Sequence, residues 1–233
     1  MKMSFILVFC LSLCFACRKD KEQPDALPPV VYAGDLKFDS DPLIMFVKDT
    51  AIQDLDFIRA YMERHRSMGV FDLSAGGLLD GAKVTFDARN SELVSFKIVT
   101  AGGGVNERVF DRAKLDNTTL VFTAKNKGEV EEYDNTAFSC KSVHTLTRMY
   151  PPASECRSDQ LFCSGYQHMP VIEYGDKLVL PVTCFNYFHR QNNGTCLINK
   201  TGLYDIFNPK AVEKLGEFDT LVVQRSTLTL SKQ

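Results

Sequence analysis

Hydrophobic and polar residues alternate along much of the chain after residue 82, which is the pattern of β-strands with one buried and one exposed face. Residues 83–88 and 94–99 alternate in this way around a polar turn at 89–91, which predicts an antiparallel hairpin. A short apolar run predicts a strand at 43–47, and further strands are predicted at 108–114, 118–125, 136–149, 171–174, 177–188, 203–207 and 218–231.

The last of these segments, 218–231, changes its pattern partway along. Leu221 and Val223 have one parity, whereas Leu228 and Leu230 have the other. Because successive side chains of a strand point to opposite faces, the change predicts one of two structures. Either the strand bulges near 224–226, or it passes from one packed surface to another.

Helical periodicity is convincing in one place, at about 53–68. Leu55, Ile58, Met62 and His65 recur at helical spacing there, and Gly69 is a natural stop. About eight to ten strands, with one helix near the N-terminus, predict a mainly β domain, an antiparallel barrel or sandwich with one N-terminal α-helix. The layout loosely resembles the lipocalin-like barrels. The chain contains no Trp, however, so it lacks the Gly-x-Trp signature of true lipocalins, and no ligand residue is transferred from them.

The N-terminus carries one Lys and then an apolar run at 5–16 that ends before Cys17. A run of about a dozen residues is too short for a membrane span, which needs about 20, and suits an export signal. With Ala16 before Cys17, the leader resembles those of bacterial lipoproteins. The resemblance implies a diacylglyceryl group on the Cys17 thiol. Cys14, preceded by Leu11-Ser12-Leu13, is a rival site, and an ordinary cleaved signal is the other alternative.

These features predict three parts: a signal peptide at 1–16, a lipidated tether at 17–30, and a single β-rich domain at 31–233. The tether is charged and contains Pro24, Pro28 and Pro29, so it has little to bury. The expected location is outside the cytoplasm, with the lipid anchor in the outer membrane or cell surface and the domain facing the periplasm or exterior.

Charge and motifs narrow the classes of partner. The formal net charge is −2 and no basic block occurs, which argues against a nucleic-acid partner. The glycine run at 101–105 lacks the Lys-Ser or Lys-Thr of a phosphate loop and is interpreted as a hairpin turn. No motif for a cofactor or metal is found, so no catalytic, cofactor-binding or metal-binding residue is assigned.

Five cysteines follow Cys17, and all lie within 140–196. In an exported protein this clustering favours local disulfides. The preferred bridges are Cys156 with Cys163 and Cys184 with Cys196, which would leave Cys140 as a buried thiol in a strand. Sequence alone leaves other connectivities open.

The segment 186–195 is interpreted as a binding loop held by the Cys184–Cys196 bridge. Its aromatic, basic and amide side chains are of the kind that contact sugars or peptides. The candidate contact residues are Tyr187, Phe188, His189, Arg190 and Asn192.

Three functions fit these expectations. The first is an envelope-anchored lipoprotein that binds a small apolar ligand, a glycan or a protein partner. The second is an exported hydrolase that uses carboxylates or a Cys-His pair, with His144 or His189 as the base. The third is a secreted, disulfide-stapled adhesion module without lipid.

Overall fold

A computed structural model describes residues 29–65, 71, 73, 81–90, 92–116, 118–130, 147–154, 163–191 and 194–233. These residues contain fifteen strands, one α-helix and the 3₁₀ helix Pro209–Lys214. The strands are β1 Val31–Asp35, β2 Phe38–Ser40, β3 Ile44–Val47, β4 Thr50–Ile52, β5 Lys83–Asp87, β6 Leu93–Val99, β7 Val105–Asp116, β8 Thr119–Ala124, β9 Gly128–Val130, β10 Ala153–Ser154, β11 Cys163–Tyr166, β12 His168–Tyr174, β13 Lys177–Gln191, β14 Gly194–Leu203 and β15 Asp219–Lys232, and the helix is α1 Leu55–Arg64.

Eight of the strands form a closed antiparallel barrel. The order around it is β1, β5, β6, β7, β8, β12, β13 and β15, so each barrel strand pairs with the next barrel strand along the chain. The pairing of β1 with β15, with Tyr32 opposite Lys232, closes the ring. The predicted fold class, a mainly β antiparallel barrel with one N-terminal helix, is confirmed.

The barrel interior is filled by the inward-facing residues of its strands. Phe86, Phe122, Leu180 and Leu228 are fully buried, and the Phe86 and Phe122 rings pack edge to face with centroids 5.2 Å apart. Aromatic pairs in this arrangement add about 0.5–1.5 kcal/mol beyond the area they bury. In β5 and β6, for example, the alternation seen in the sequence corresponds to one buried face and one more exposed face.

β13 and β15 are longer than the barrel needs, and they continue past one of its ends as a paired ribbon. Beyond the barrel, β14 adds to the β13 side, while β3 and then β4 add to the β15 side. We call this extension the outer sheet. Helix α1 covers one of its faces, where Ile58 and Met62 pack against Val222, and the 3₁₀ helix covers the other.

The paired ribbon explains the parity change in the sequence. β15 keeps one continuous register with β13 from Asp219 to Ser231, without a bulge. Leu221 and Val223 pack under the 3₁₀ helix, whereas Leu228 and Leu230 lie in the barrel core. The strand therefore passes from one packed surface to another, which is the second of the two predicted structures.

Helix α1 is shorter than the predicted span of 53–68. The Asp54 side chain accepts hydrogen bonds from the amides of Asp56 and Phe57, both at 3.0 Å, and so caps the first turn. The helix ends at Arg64. No helix among the described residues is both long and apolar enough to cross a membrane.

Candidate ligand site at the mouth of the barrel

A cavity of about 230 Å³ opens at the end of the barrel where β6 ends and β7 begins. We call it the mouth cavity. Its apolar wall consists of Phe96, Ile98, Phe110, Met169 and Leu203, its polar wall consists of Asn106, Arg108, Arg148, Gln167 and His168, and Tyr204 completes it.

The register of β6 and β7 explains this division into two walls. Phe96 lies opposite Arg108, and Ile98 lies opposite Asn106. Directly opposed residues of an antiparallel pair share a face, so these polar side chains occupy the same side of the sheet as the core residues. The inward face of β7 therefore changes from apolar at Phe110 to polar at the open end.

Arg108 is held at the rim by its neighbours. Its Nη1 donates a hydrogen bond to Oε1 of Gln167. Tyr204 lies beside it and packs edge to face on Phe96, with ring centroids 5.3 Å apart. Burial raises the pKa of Tyr204 to about 12, and the charge of Arg108 partly offsets this. The Tyr204 phenol therefore carries no negative charge at neutral pH.

Asp205 connects two chain segments beside the cavity through hydrogen bonds. Its buried carboxylate accepts hydrogen bonds from Nε of Arg148 at 2.8 Å, from the amide of Tyr150 at 3.1 Å and from the amide of Ile206 at 2.7 Å. Burial raises the pKa of Asp205, while Arg148 and the two amides oppose that rise. This carboxylate thus connects 147–150 to 203–206, which supply Arg148, Leu203 and Tyr204 to the cavity.

His168 is fixed by the backbone. Its Nδ1 lies 2.8 Å from the carbonyl oxygen of Pro151. Because a carbonyl oxygen only accepts hydrogen bonds, Nδ1 is the protonated ring nitrogen and donates a hydrogen bond to it. The segment near Pro151 is thereby held against the start of β12.

A second polar cluster lies in the outer sheet, below the 3₁₀ helix. Buried Asp219 accepts hydrogen bonds from the amide of Gly216 at 2.7 Å, from the Tyr187 hydroxyl at 2.9 Å and from Nδ1 of His189. Burial raises the pKa of Asp219, but these hydrogen bonds outweigh it and hold the pKa below its ordinary value. Nε2 of His189 is buried and has no hydrogen-bond partner among the described residues.

The prediction that 186–195 is a loop is wrong, because β13 continues through Gln191 and β14 begins at Gly194. Contact of these residues with a sugar or peptide stays a prediction. Tyr187 packs under the 3₁₀ helix, whereas Phe188 contacts His65 of α1 with ring centroids 4.5 Å apart. These neighbouring side chains face opposite sides of the outer sheet and form no common surface. His189 and Arg190 also lie in β13, and Asn192 lies outside the described residues.

The register also overturns the predicted Cys184–Cys196 bridge. Cys196 lies opposite His189 in the β13–β14 pair, five residues along the strand from Cys184. Five extended residues span roughly 16 Å at about 3.3 Å each, whereas the Cα atoms of a disulfide lie within about 7 Å. Cys184 is buried against α1 instead.

The other cysteine predictions involve residues outside the described part of the chain. Cys17, Cys140 and Cys156 lie outside the described residues, and the backbone of Cys163 begins β11. His144, one base of the hydrolase alternative, also lies outside them. The bridge between Cys156 and Cys163 therefore stays a prediction.

Sequence reasoning missed the residues of the mouth cavity. One pattern in the sequence points to them: Asn106 and Arg108 share the parity of Phe110, which puts polar side chains on the inward face of a predicted strand. The pattern does not reveal the contributions of Arg148 and Gln167, because these depend on pairings distant in sequence. Within the described residues, no group of three or more His, Cys, Asp or Glu side chains could hold a metal ion.

The chain matches no protein-family model, no curated protein and no solved structure. Since a barrel fold hosts many unrelated functions, the function has to be argued from the site itself.

Proposed function

We propose that this protein is an exported, lipid-anchored binding protein that holds a small molecule in the mouth cavity. The observation that carries the proposal is the cavity itself, which combines an apolar wall with polar side chains at its rim. Small-molecule sites commonly have this composition, with polar groups that orient a ligand whose body is held by apolar contacts.

The volume limits the size of the ligand. One water molecule takes up about 30 Å³ in the liquid, so a cavity of about 230 Å³ has room for roughly eight groups of that size. Pockets for drug-sized ligands are larger, about 300–1,000 Å³. The expected ligand is therefore a short amphipathic molecule, of the size of an eight-carbon alcohol or acid.

The lipid anchor is supported by the leader that ends at Cys17 and by the charged segment that follows it. Two or more acyl chains hold a protein stably on a membrane, whereas one chain binds only marginally. Anchoring would hold the barrel against the outer membrane or the cell surface, with the domain facing the periplasm or the exterior. Intact-mass analysis of the mature protein tests this, because an acylated Cys17 at the N-terminus supports the anchor and an unmodified N-terminus overturns it.

The ligand site is tested by filling the cavity. We expect octanol and octanoate to bind the purified protein in isothermal titration calorimetry, and Ile98→Trp to abolish that binding. Val99→Trp is the matched control, because Val99 is the next residue on the same strand and points to the opposite face.

Far-UV circular dichroism establishes that both variants are folded, and Ile98→Phe replaces Ile98→Trp if the larger side chain prevents folding. Equal binding by wild type and a folded Ile98 variant would overturn the cavity as the site. Absence of binding by wild type would overturn the small-molecule function and favour a glycan or protein partner on another surface.

A further inference from the structure

We infer that the mouth cavity selects a carboxylate-bearing ligand and that Arg108 is the residue that recognises the carboxylate. This inference rests on the proposed small-molecule function and names the chemical class of the ligand. It is carried by the charges that line the cavity and by the hydrogen bonds of its two arginines.

The described lining of the cavity has an unbalanced charge. It includes Arg108 and Arg148 but no aspartate or glutamate. Asp205 lies behind the wall and accepts the hydrogen bond of Arg148 at 2.8 Å, so that pair is internally neutral. Arg108 has no such neighbour in the described lining, and the cavity therefore presents one uncompensated positive charge.

The hydrogen bonding of Arg108 leaves it able to bind an anion. A guanidinium has five N–H donors arranged in a fork that matches a carboxylate. In the described structure, Nη1 of Arg108 donates to the neutral amide of Gln167, which orients the group without neutralising it. The remaining donors are free to form a two-pronged contact with the ligand.

The apolar wall fixes which end of the ligand meets Arg108. Phe96 lies opposite Arg108 in the register, and Phe110 is the next inward residue of β7, toward the barrel core. A ligand with its apolar body against Phe96 and Phe110 therefore brings its head to the rim. A carboxylate there meets the charge of Arg108, whereas an ammonium group meets a like charge.

The test compares eight-carbon ligands that differ only in their head groups. In calorimetric titrations of the wild-type protein, octanoate is expected to bind about tenfold more tightly than octanamide, because a guanidinium forms a stronger hydrogen bond with a carboxylate than with a neutral amide. Octylamine is expected to bind more weakly than either.

Variants assign the selectivity to one residue. Arg108→Met, which keeps an apolar stem without the charge, is expected to bind octanoate and octanamide equally. Arg108→Lys is expected to keep a reduced preference for octanoate, because it retains the charge but not the fork. The control is Arg59→Met, which removes an exposed arginine from α1 and leaves the preference unchanged.

The outcomes separate this inference from the proposed function. If octanamide binds wild type as tightly as octanoate, selection for a carboxylate is wrong while binding in the cavity stands. If a folded Arg108→Met variant keeps the full preference for octanoate, Arg108 is not the recognising residue. If none of the three ligands binds wild type, the proposed function fails as well.

Discussion

The ion pair between Arg148 and Asp205 provides the sharpest test of how the mouth of the barrel is held together. Asp205 is fully buried and the Arg148 side chain is only 12% exposed. Asp205→Asn keeps the shape and the acceptor for the two amides but leaves the Arg148 charge buried without its counter-charge. Breaking a buried ion pair in this way costs about 3–5 kcal/mol.

The complementary changes complete a double-mutant cycle. Arg148→Met leaves the Asp205 carboxyl buried, where burial already raises its pKa, so protonation limits the loss. We expect a cost of about 2–4 kcal/mol at neutral pH and less in acid. In the double variant neither charge remains, and the cost is expected to be smaller than the sum of the single costs by at least about 2 kcal/mol.

The assay is equilibrium urea unfolding monitored by far-UV circular dichroism, because the chain has no Trp whose fluorescence could report unfolding. All four proteins are compared at pH 7 under one salt condition. Single-variant costs that add to within about 0.5 kcal/mol would refute the reasoning, because residues that do not interact behave additively.

Two further changes probe the outer sheet and the barrel core. Asp219→Asn is expected to lower the free energy of unfolding by about 1–3 kcal/mol at pH 7. The pKa of Asp219 is lowered in the folded state, so wild type has this extra stability above about pH 4 and loses it as the pH falls through the folded pKa. The difference between the urea midpoints of wild type and variant should therefore be smaller at pH 3 than at pH 7. An equal difference at both pH values would contradict the prediction. Phe122→Ala removes a fully buried ring and is expected to lower the free energy of unfolding by about 3–5 kcal/mol. The control Phe57→Ala, at a side chain that is 52% exposed, should lower it much less in the same urea assay. Equal losses would mean that Phe122 does not lie in the barrel core.

The parts of the fold that could be predicted are those with a local pattern. The hairpin of β5 and β6 follows from alternation at 83–88 and 94–99, and the two strands pair with Phe86 opposite Phe96. The turn at 174–177 has Gly175 at φ +61°, a conformation that glycine adopts without strain. Neither feature depends on residues far away in the sequence.

The parts that failed depend on distant partners. β14 is rich in polar residues, and the sequence predicts no strand over 196–202, yet β14 pairs with β13 along most of its length. The mouth cavity also depends on distant partners. Arg108 lies in a predicted strand, but it comes to lie at the rim of a cavity only when the ring of strands closes. Arg148 and Tyr204 reach the site only because Asp205 joins two segments that are 57 residues apart.

The closing pair of the barrel also sets the order in which the molecule can fold. Tyr32 pairs with Lys232, so the first barrel strand finds one of its two partners only after a residue 200 positions later in the sequence has been synthesised. A contact between such distant residues brings a large loop-closure entropy, and folds rich in such contacts form slowly. Until then one edge of β1 has no partner strand, and the barrel cannot close.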